Sequence, residues 1–164
     1  MKIKSFLISV FTIFVIWVLL NNNLTAEVLI SGGFVAVAVA FMFYRSYNIF
    51  EALKLNPKAI LYWFVYIFVF IVELVKSNFD VALRVISPKL PINPGIVEVK
   101  TKLKSKLGRM ILTNSITLTP GTFTVELLDD SIFIHWIDVK SGNIEEDTKT
   151  IVHKFEKYLE VIYG

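Results

Sequence analysis

The sequence predicts a membrane protein: N-terminal α-helical hydrophobic segments followed by a small C-terminal α+β domain of order β-α-β-β-α. Three observations carry this. Hydrophobic residues make up 55% of the 164 residues, with 14 Phe and a mean hydropathy of +0.64. Charge is unevenly placed, with five basic and three acidic side chains before residue 76 and most of the charge after it. Behind that boundary the apolar pattern changes to period 2 and then to a helical repeat. A chain of this length has room for roughly one small domain and a membrane anchor. The expected organisation is therefore membrane segments over 1–75, an amphipathic helix and proline-rich linker over 76–95, and a domain over 96–164.

The apolar segments run from Ser5 to Leu20, Val28 to Tyr44 and Ala59 to Val75, the second closed by Arg45. At 16 to 17 residues each measures about 25 Å as a helix, short of a hydrocarbon core of about 30 Å. Asn21-Asn22-Asn23 reads as a polar turn between two helices, and no small-x-small site follows the first segment to mark it for cleavage. Small residues in the second segment (Ser31, Gly32, Gly33, Ala36, Ala38, Ala40) allow close helix approach, either within this hairpin or to another protein.

Basic residues set a topological conflict. Lys2 and Lys4 favour a cytoplasmic N-terminus; Lys76, Arg84 and Lys89 favour a cytoplasmic C-terminal part. Three full crossings cannot satisfy both, so either the N-terminus lies outside or one segment enters without crossing. The larger basic block decides the expectation of a cytoplasmic C-terminal domain. Glu73 is the candidate intramembrane acid, a residue type often tied to ion movement. Its competing reading is a partner for Lys76, three residues on.

Past Val75, the spacing of Phe79, Val81, Ala82, Val85 and Ile86 predicts an amphipathic helix along the membrane surface. Pro88, Pro91 and Pro94 end it by Ser87. Residues 96–107 then alternate: Val97, Val99, Thr101, Leu103 and Ser105 on one face, Glu98, Lys100, Lys102, Lys104 and Lys106 on the other. Such a lysine row guards an exposed strand edge or meets headgroups or a partner. The run from Lys106 to Pro120-Gly121 reads two ways, with Leu107, Met110, Ile111, Asn114 and Leu118 at helical spacing and Ser115–Leu118 alternating like a strand, and the helix is favoured. TFTVELL and SIFIHWIDV read as a hairpin about Asp129-Asp130, and 143–163 as a helix capped by Asn143. Its apolar stripe is Ile144, Thr148, Ile151, Phe155, Tyr158 and Ile162.

Residues 76–109 carry net +6 (eight basic, two acidic) and residues 110–164 net −5 (four basic, nine acidic). The basic block suits an anionic membrane or an acidic neighbouring subunit; its lysine-rich strand offers no aromatic platform for nucleic acid. Absence of cysteine excludes disulfides, thiolate metal sites and cysteine nucleophiles. The two histidines, His135 and His153, belong to no metal or hydrolase motif, and no phosphate-binding glycine motif occurs. Neither a cofactor, a metal, an enzyme activity nor a small-molecule substrate is expected. The six hydroxyls in Thr113–Thr124 around Pro120-Gly121 read as folding and docking elements, with a bound ion or lipid as the alternative.

The stretches RVISPKLPINPGIVEVKT, NSITLTPGTFTVEL and IHWIDV resemble the E-subunit family of the Mrp (Mnh) multisubunit cation/proton antiporters, over nearly the whole chain. The most specific parts are Ser87, Pro88, Lys89, Pro94 and Gly95, and the run Ile116–Thr122 with Thr117, Thr119, Pro120, Gly121 and Thr122. The resemblance implies a multi-pass cell-membrane protein, an accessory subunit of a complex exchanging Na+ for H+. It implies other subunits and lipids as partners, with the main translocation path in the large subunits. The same module also occurs in redox-driven membrane complexes such as membrane-bound hydrogenases, the alternative setting.

Overall fold

A computed structural model describes residues 2–43, 53–54 and 56–164. Two compact units result, Met1–Leu53 and Lys54–Gly164. In the first, α1 (Lys2–Asn21) and α2 (Ala26–Met42) form a hairpin. Asn22 turns the chain at φ 47°, a left-handed conformation that asparagine tolerates well, and the Asn23 carboxamide accepts the Thr25 N–H at 3.1 Å. Gly32, Ala36 and Ala40 are buried in the hairpin, as are Ser5 and Ser9 of α1. The indole of Trp17 rests on Gly32, where a Cβ would come within 2.5 Å of Trp17 Cδ1. The small-residue row is therefore used inside the hairpin, while Gly33 faces open space. Tyr44 and Arg45, expected to close the second segment, lie outside the described residues.

The second unit opens with α3 (Pro57–Ile86), a single helix of 30 residues. Asn56 caps it, its carboxamide accepting the Ala59 N–H at 2.7 Å, and Pro57 supplies a first-turn φ at no hydrogen-bond cost. It stops where Pro88 forces Ser87 into extended backbone, ψ 124°. The helix runs unbroken through the compositional change near residue 76. The third apolar segment and the amphipathic stretch expected after it are thus one element, and the unit boundary falls before α3 rather than after Val75. A shift in surface polarity moved along a continuous helix; it did not mark a linker.

The remaining elements are β1 (Gly95–Lys100), α4 (Lys106–Leu118), β2 (Thr122–Leu128), β3 (Ser131–Trp136), α5 (Ile144–Ile151) and α6 (His153–Tyr163). The sheet is antiparallel in order β1-β3-β2, with Val97 opposite Ile134 and Val99 opposite Ile132. Val99, Ile132 and Ile134 are buried with Leu112, Ile116, Phe155, Leu159 and Ile162 of the helices. Burial alternates as expected through Leu103, yet the strand ends at Lys100; one further main-chain bond, Thr101 N–H to the Asp130 carbonyl at 2.9 Å, is made at the β2–β3 turn. Two edge N–H groups are covered from the helices: Lys100 N–H donates to Thr148 Oγ1 at 2.9 Å, and Thr124 N–H to Thr117 Oγ1 at 3.2 Å. The hairpin turns at Asp129, φ 49°, with a bulge between Thr124 and Glu126. The single C-terminal helix expected is two, meeting at Val152, whose carbonyl accepts from both Phe155 and Glu156. Asn143 caps the first of them, accepting from the Glu145 and Glu146 N–H groups.

The whole length of one α3 face is bound to this domain. Lys54 N–H donates to the Ile162 carbonyl at 3.1 Å. The Tyr62 ring packs on Tyr158, and Tyr66 and Phe70 on Phe155, at centroid separations of 6.3 to 6.5 Å. Tyr66 is buried, and its hydroxyl hydrogen-bonds Ser115 of α4. Because Ser115 donates its one proton to the Ile111 carbonyl at 2.7 Å, Tyr66 is the donor of that pair.

Three outcomes test this packing. Gly32→Leu forces Trp17 aside and costs about 1–3 kcal/mol of overpacking, whereas Gly33→Leu is tolerated; thermal unfolding in detergent separates them. Ser115→Ala strands the buried Tyr66 hydroxyl and costs about 1–3 kcal/mol, while adding Tyr66→Phe restores most of it; a double-mutant cycle by the same method checks this. Finally, Lys104 and then Arg109, both beside Asp130, hold its carboxyl below the ordinary value. A depressed carboxylate stabilises fully above its unfolded pKa of about 3.9 and loses that effect as pH falls through the folded value. The melting-temperature gap between wild type and Asp130→Asn is accordingly constant at neutral pH and closes on acidification.

Candidate functional site

Charged and hydroxyl side chains gather at three places along the α3–domain junction. At the first, Glu73 bridges two ammonium groups: Lys76 Nζ lies 3.2 Å from one carboxylate oxygen and Lys154 Nζ 3.2 Å from the other. Lys76 is the partner expected from i,i+3 spacing. Lys154 is on α6, 81 positions later, and only the fold brings it near. The carboxylate therefore ties α3 to α6 at the end of the apolar run.

At the second, Arg84 reaches from the last turn of α3 to Asp80 at 2.7 Å, Asp138 at 2.9 Å and the Pro91 carbonyl at 2.5 Å. Asp138 also pairs with Lys140. Lys140, then Arg84, hold the Asp138 carboxyl below its ordinary value. Ser87, Pro88, Lys89 and Pro94 line the connection beside this cluster, and Gly95 starts β1, where an added Cβ would crowd Val139 Cγ2 at 3.1 Å. Asn93, which the sequence reading passed over, holds the connection to the end of β3. Its N–H donates to the Ile137 carbonyl, its carbonyl accepts the Val139 N–H at 2.9 Å, and its carboxamide donates to the Val139 carbonyl at 3.0 Å.

The third is the hydroxyl-rich run. The last carbonyls of a helix lack intrahelical donors. In α4, Thr119 donates to Ser115 O at 2.7 Å and Thr122 to Ile116 O at 2.7 Å. Thr113 donates back to Arg109 O and Thr124 to Thr113 O. Each of the six hydroxyls thus has a local main-chain partner, Thr117 as acceptor. After Pro120, Gly121 sits at φ 91° with its would-be Cβ 2.9 Å from Ile137 Cγ2, and its carbonyl accepts the Ile137 N–H at 2.9 Å. Only glycine meets both demands.

The two most specific stretches therefore converge, Asn93 and Gly121 both binding the Ile137–Val139 segment, which belongs to the third. What the arrangement offers chemically is anchoring. Glu156, also unforeseen as a polar core group, is buried and accepts from Thr101 Oγ1 at 2.6 Å and Lys102 N–H at 2.7 Å, tying α6 to the segment after β1. His135 and His153 are exposed on separate elements. Among the described residues no group of three or more His, Asp or Glu gathers as a metal site.

Comparison with known proteins places these features in a family. A family model described as "Na+/H+ ion antiporter subunit" matches residues 10–162. The Na(+)/H(+) antiporter E subunit of Alkalihalophilus pseudofirmus is 38% identical over 145 residues, covering 87% of this chain and 88% of that protein. The Na(+)/H(+) antiporter E1 subunit of Staphylococcus haemolyticus is 34% identical over 151 residues, covering 87% of each. Among solved structures, a chain of the membrane-bound sulfane sulfur reductase, an archaeal respiratory membrane complex, is similar with a TM-score of 0.86. It is 42% identical and covers 97% of this chain and 99% of that chain. By the extent and identity of these matches, the chain belongs to the E-subunit family of Na+/H+ antiporters.

Proposed function

We propose that this chain is an accessory membrane subunit of a multisubunit Na+/H+ antiporter, supporting assembly and transport without forming the main translocation path. The observation that carries the reading is the near-full-length match to the E subunits of Na+/H+ antiporters. The site geometry supports it: the polar groups at the junction are engaged in holding α3 to its own domain. In this role the chain binds other subunits and lipid through its apolar surfaces, performs no catalysis of its own, and keeps its C-terminal domain in the cytoplasm. Ser87–Gly95 and Thr117–Thr122 act as structural residues that brace Ile137–Val139. A second reading is favoured by the 42% identity to a chain of an archaeal respiratory complex, namely the equivalent position in a redox-driven membrane complex.

Gentle detergent extraction followed by mass measurement of the co-purifying proteins decides between them. Large antiporter subunits alone support the first reading and added redox subunits the second; a lone monomer defeats both. For Glu73, the double pairing predicts that Glu73→Gln lowers thermal stability while antiport per assembled complex stays at the wild-type level. Loss of antiport with normal assembly, measured by a pH-gradient assay in vesicles, would overturn that structural role.

A further inference from the structure

The apolar α3 helix is long enough to cross a bilayer, but its neighbours argue against it. At 30 residues it measures about 45 Å against a hydrocarbon core of about 30 Å. Its apolar half is the part against which α6 packs, from Tyr62 on Tyr158 to Glu73 on Lys154. The outer side of α6 exposes His153, Lys157 and Glu160. If residues 59–75 stood across the membrane, these polar side chains would stand at the same depth, in a medium that excludes them. The basic residues point the same way, since Lys54 and Lys58 flank one end of α3 and Lys76, Arg84 and Lys89 the other. Under the positive-inside rule both ends belong on one side. Within the first unit, Lys4 Nζ donates to the Leu53 carbonyl at 2.6 Å, which fixes Leu53 beside the start of α1.

The opposite face of α3 is the complement. Leu61, Phe64, Phe68, Ile71, Val75 and Phe79 are 49–68% exposed and recur every three or four residues along one side. They are bulky, whereas helices that pack closely in membranes present small residues, as Gly32, Ala36 and Ala40 do within the hairpin. We infer that α3 lies flat in the interfacial layer of the bilayer, this face sunk among acyl chains and the C-terminal domain riding on its other side. The partner of the face is lipid, with anionic headgroups beside Lys58, Lys76 and Lys89. An α3 that does not cross removes the third crossing from which the charge conflict in the sequence arises.

Because the chain has no cysteine, single cysteines can report on it within the intact complex in native membranes. Lys58→Cys and Lys89→Cys, both exposed positions, are labelled with a membrane-impermeant maleimide in right-side-out and inverted vesicles. The flat helix requires both to react from the same side; reaction from opposite sides overturns it. Reaction of both from the outer side retains the flat helix and overturns only the cytoplasmic placement, so the two failures are distinct. For the occupant, nitroxides at Phe64→Cys, Phe68→Cys and Val75→Cys should collide readily with dissolved oxygen and weakly with a water-soluble nickel chelate, all to a similar degree. Protection from both reagents would mean that a protein covers the face, and overturns the lipid assignment. Neither readout depends on which subunits co-purify.

Discussion

One helix has to satisfy two solvents at once, and the C-terminal unit is arranged around that demand. Along α3 the exposed side is almost uniformly apolar through residues 60–75, while the other side carries Tyr62, Tyr66, Phe70, Glu73 and Arg84. Those residues are aromatic or ionic, and each has a partner in the domain. Aromatic side chains suit this seam because they bury large areas and still offer a polar edge. Tyr66 shows the logic: its ring packs on Phe155 while its hydroxyl finds Ser115. A leucine there would pack but leave nothing to fix the register of α3 against α4.

The same demand explains why three separated stretches of sequence carry the family resemblance. The connection after α3 must return the chain to the sheet edge within eight residues, Ser87 to Pro94, under three prolines. Its main-chain groups are closed by Asn93 on the Ile137–Val139 segment, and from the opposite side Gly121 closes on the same segment. Asp138, between those anchors, receives Arg84 from α3. The helix end, the connection, the α4–β2 turn and the end of β3 are thus braced at one place. The hydroxyls from Thr113 to Thr124 belong to that brace, because capping the carbonyls of α4 lets the chain turn sharply into β2 without stranding polar groups.

Local features were legible in the sequence, and features that depend on distant pairs were not. Proline positions fixed the end of α3, Asn143 the start of α5, and alternation the buried face of β1. The Glu73–Lys76 pair follows from helical spacing; the Glu73–Lys154 pair joins elements 81 positions apart and has no local signature. Asn93 was hidden among prolines because its carboxamide works at long range. The unit boundary, before α3 rather than inside it, was hard to read for a different reason. The residues of α3 change from apolar to amphipathic near 76, and composition reports what surrounds a helix rather than whether it continues. The small residues of α2 left two partners open, and only the seat of Trp17 on Gly32 shows that the first helix uses them.

The position of Glu73 bears on how far a transport role reaches into this chain. An acid at the margin of an apolar helix can relay ions only if its charge is available. Here each carboxylate oxygen faces a different ammonium group, one on the same helix and one on α6. Releasing either leaves the other to hold the charge, and releasing Lys154 also loosens the seam that keeps α3 on the domain. A flat α3 adds a geometric objection, since its acid then stays at the interface and traverses no depth of membrane. Both considerations favour a carboxylate that fixes helix to domain over one that moves ions.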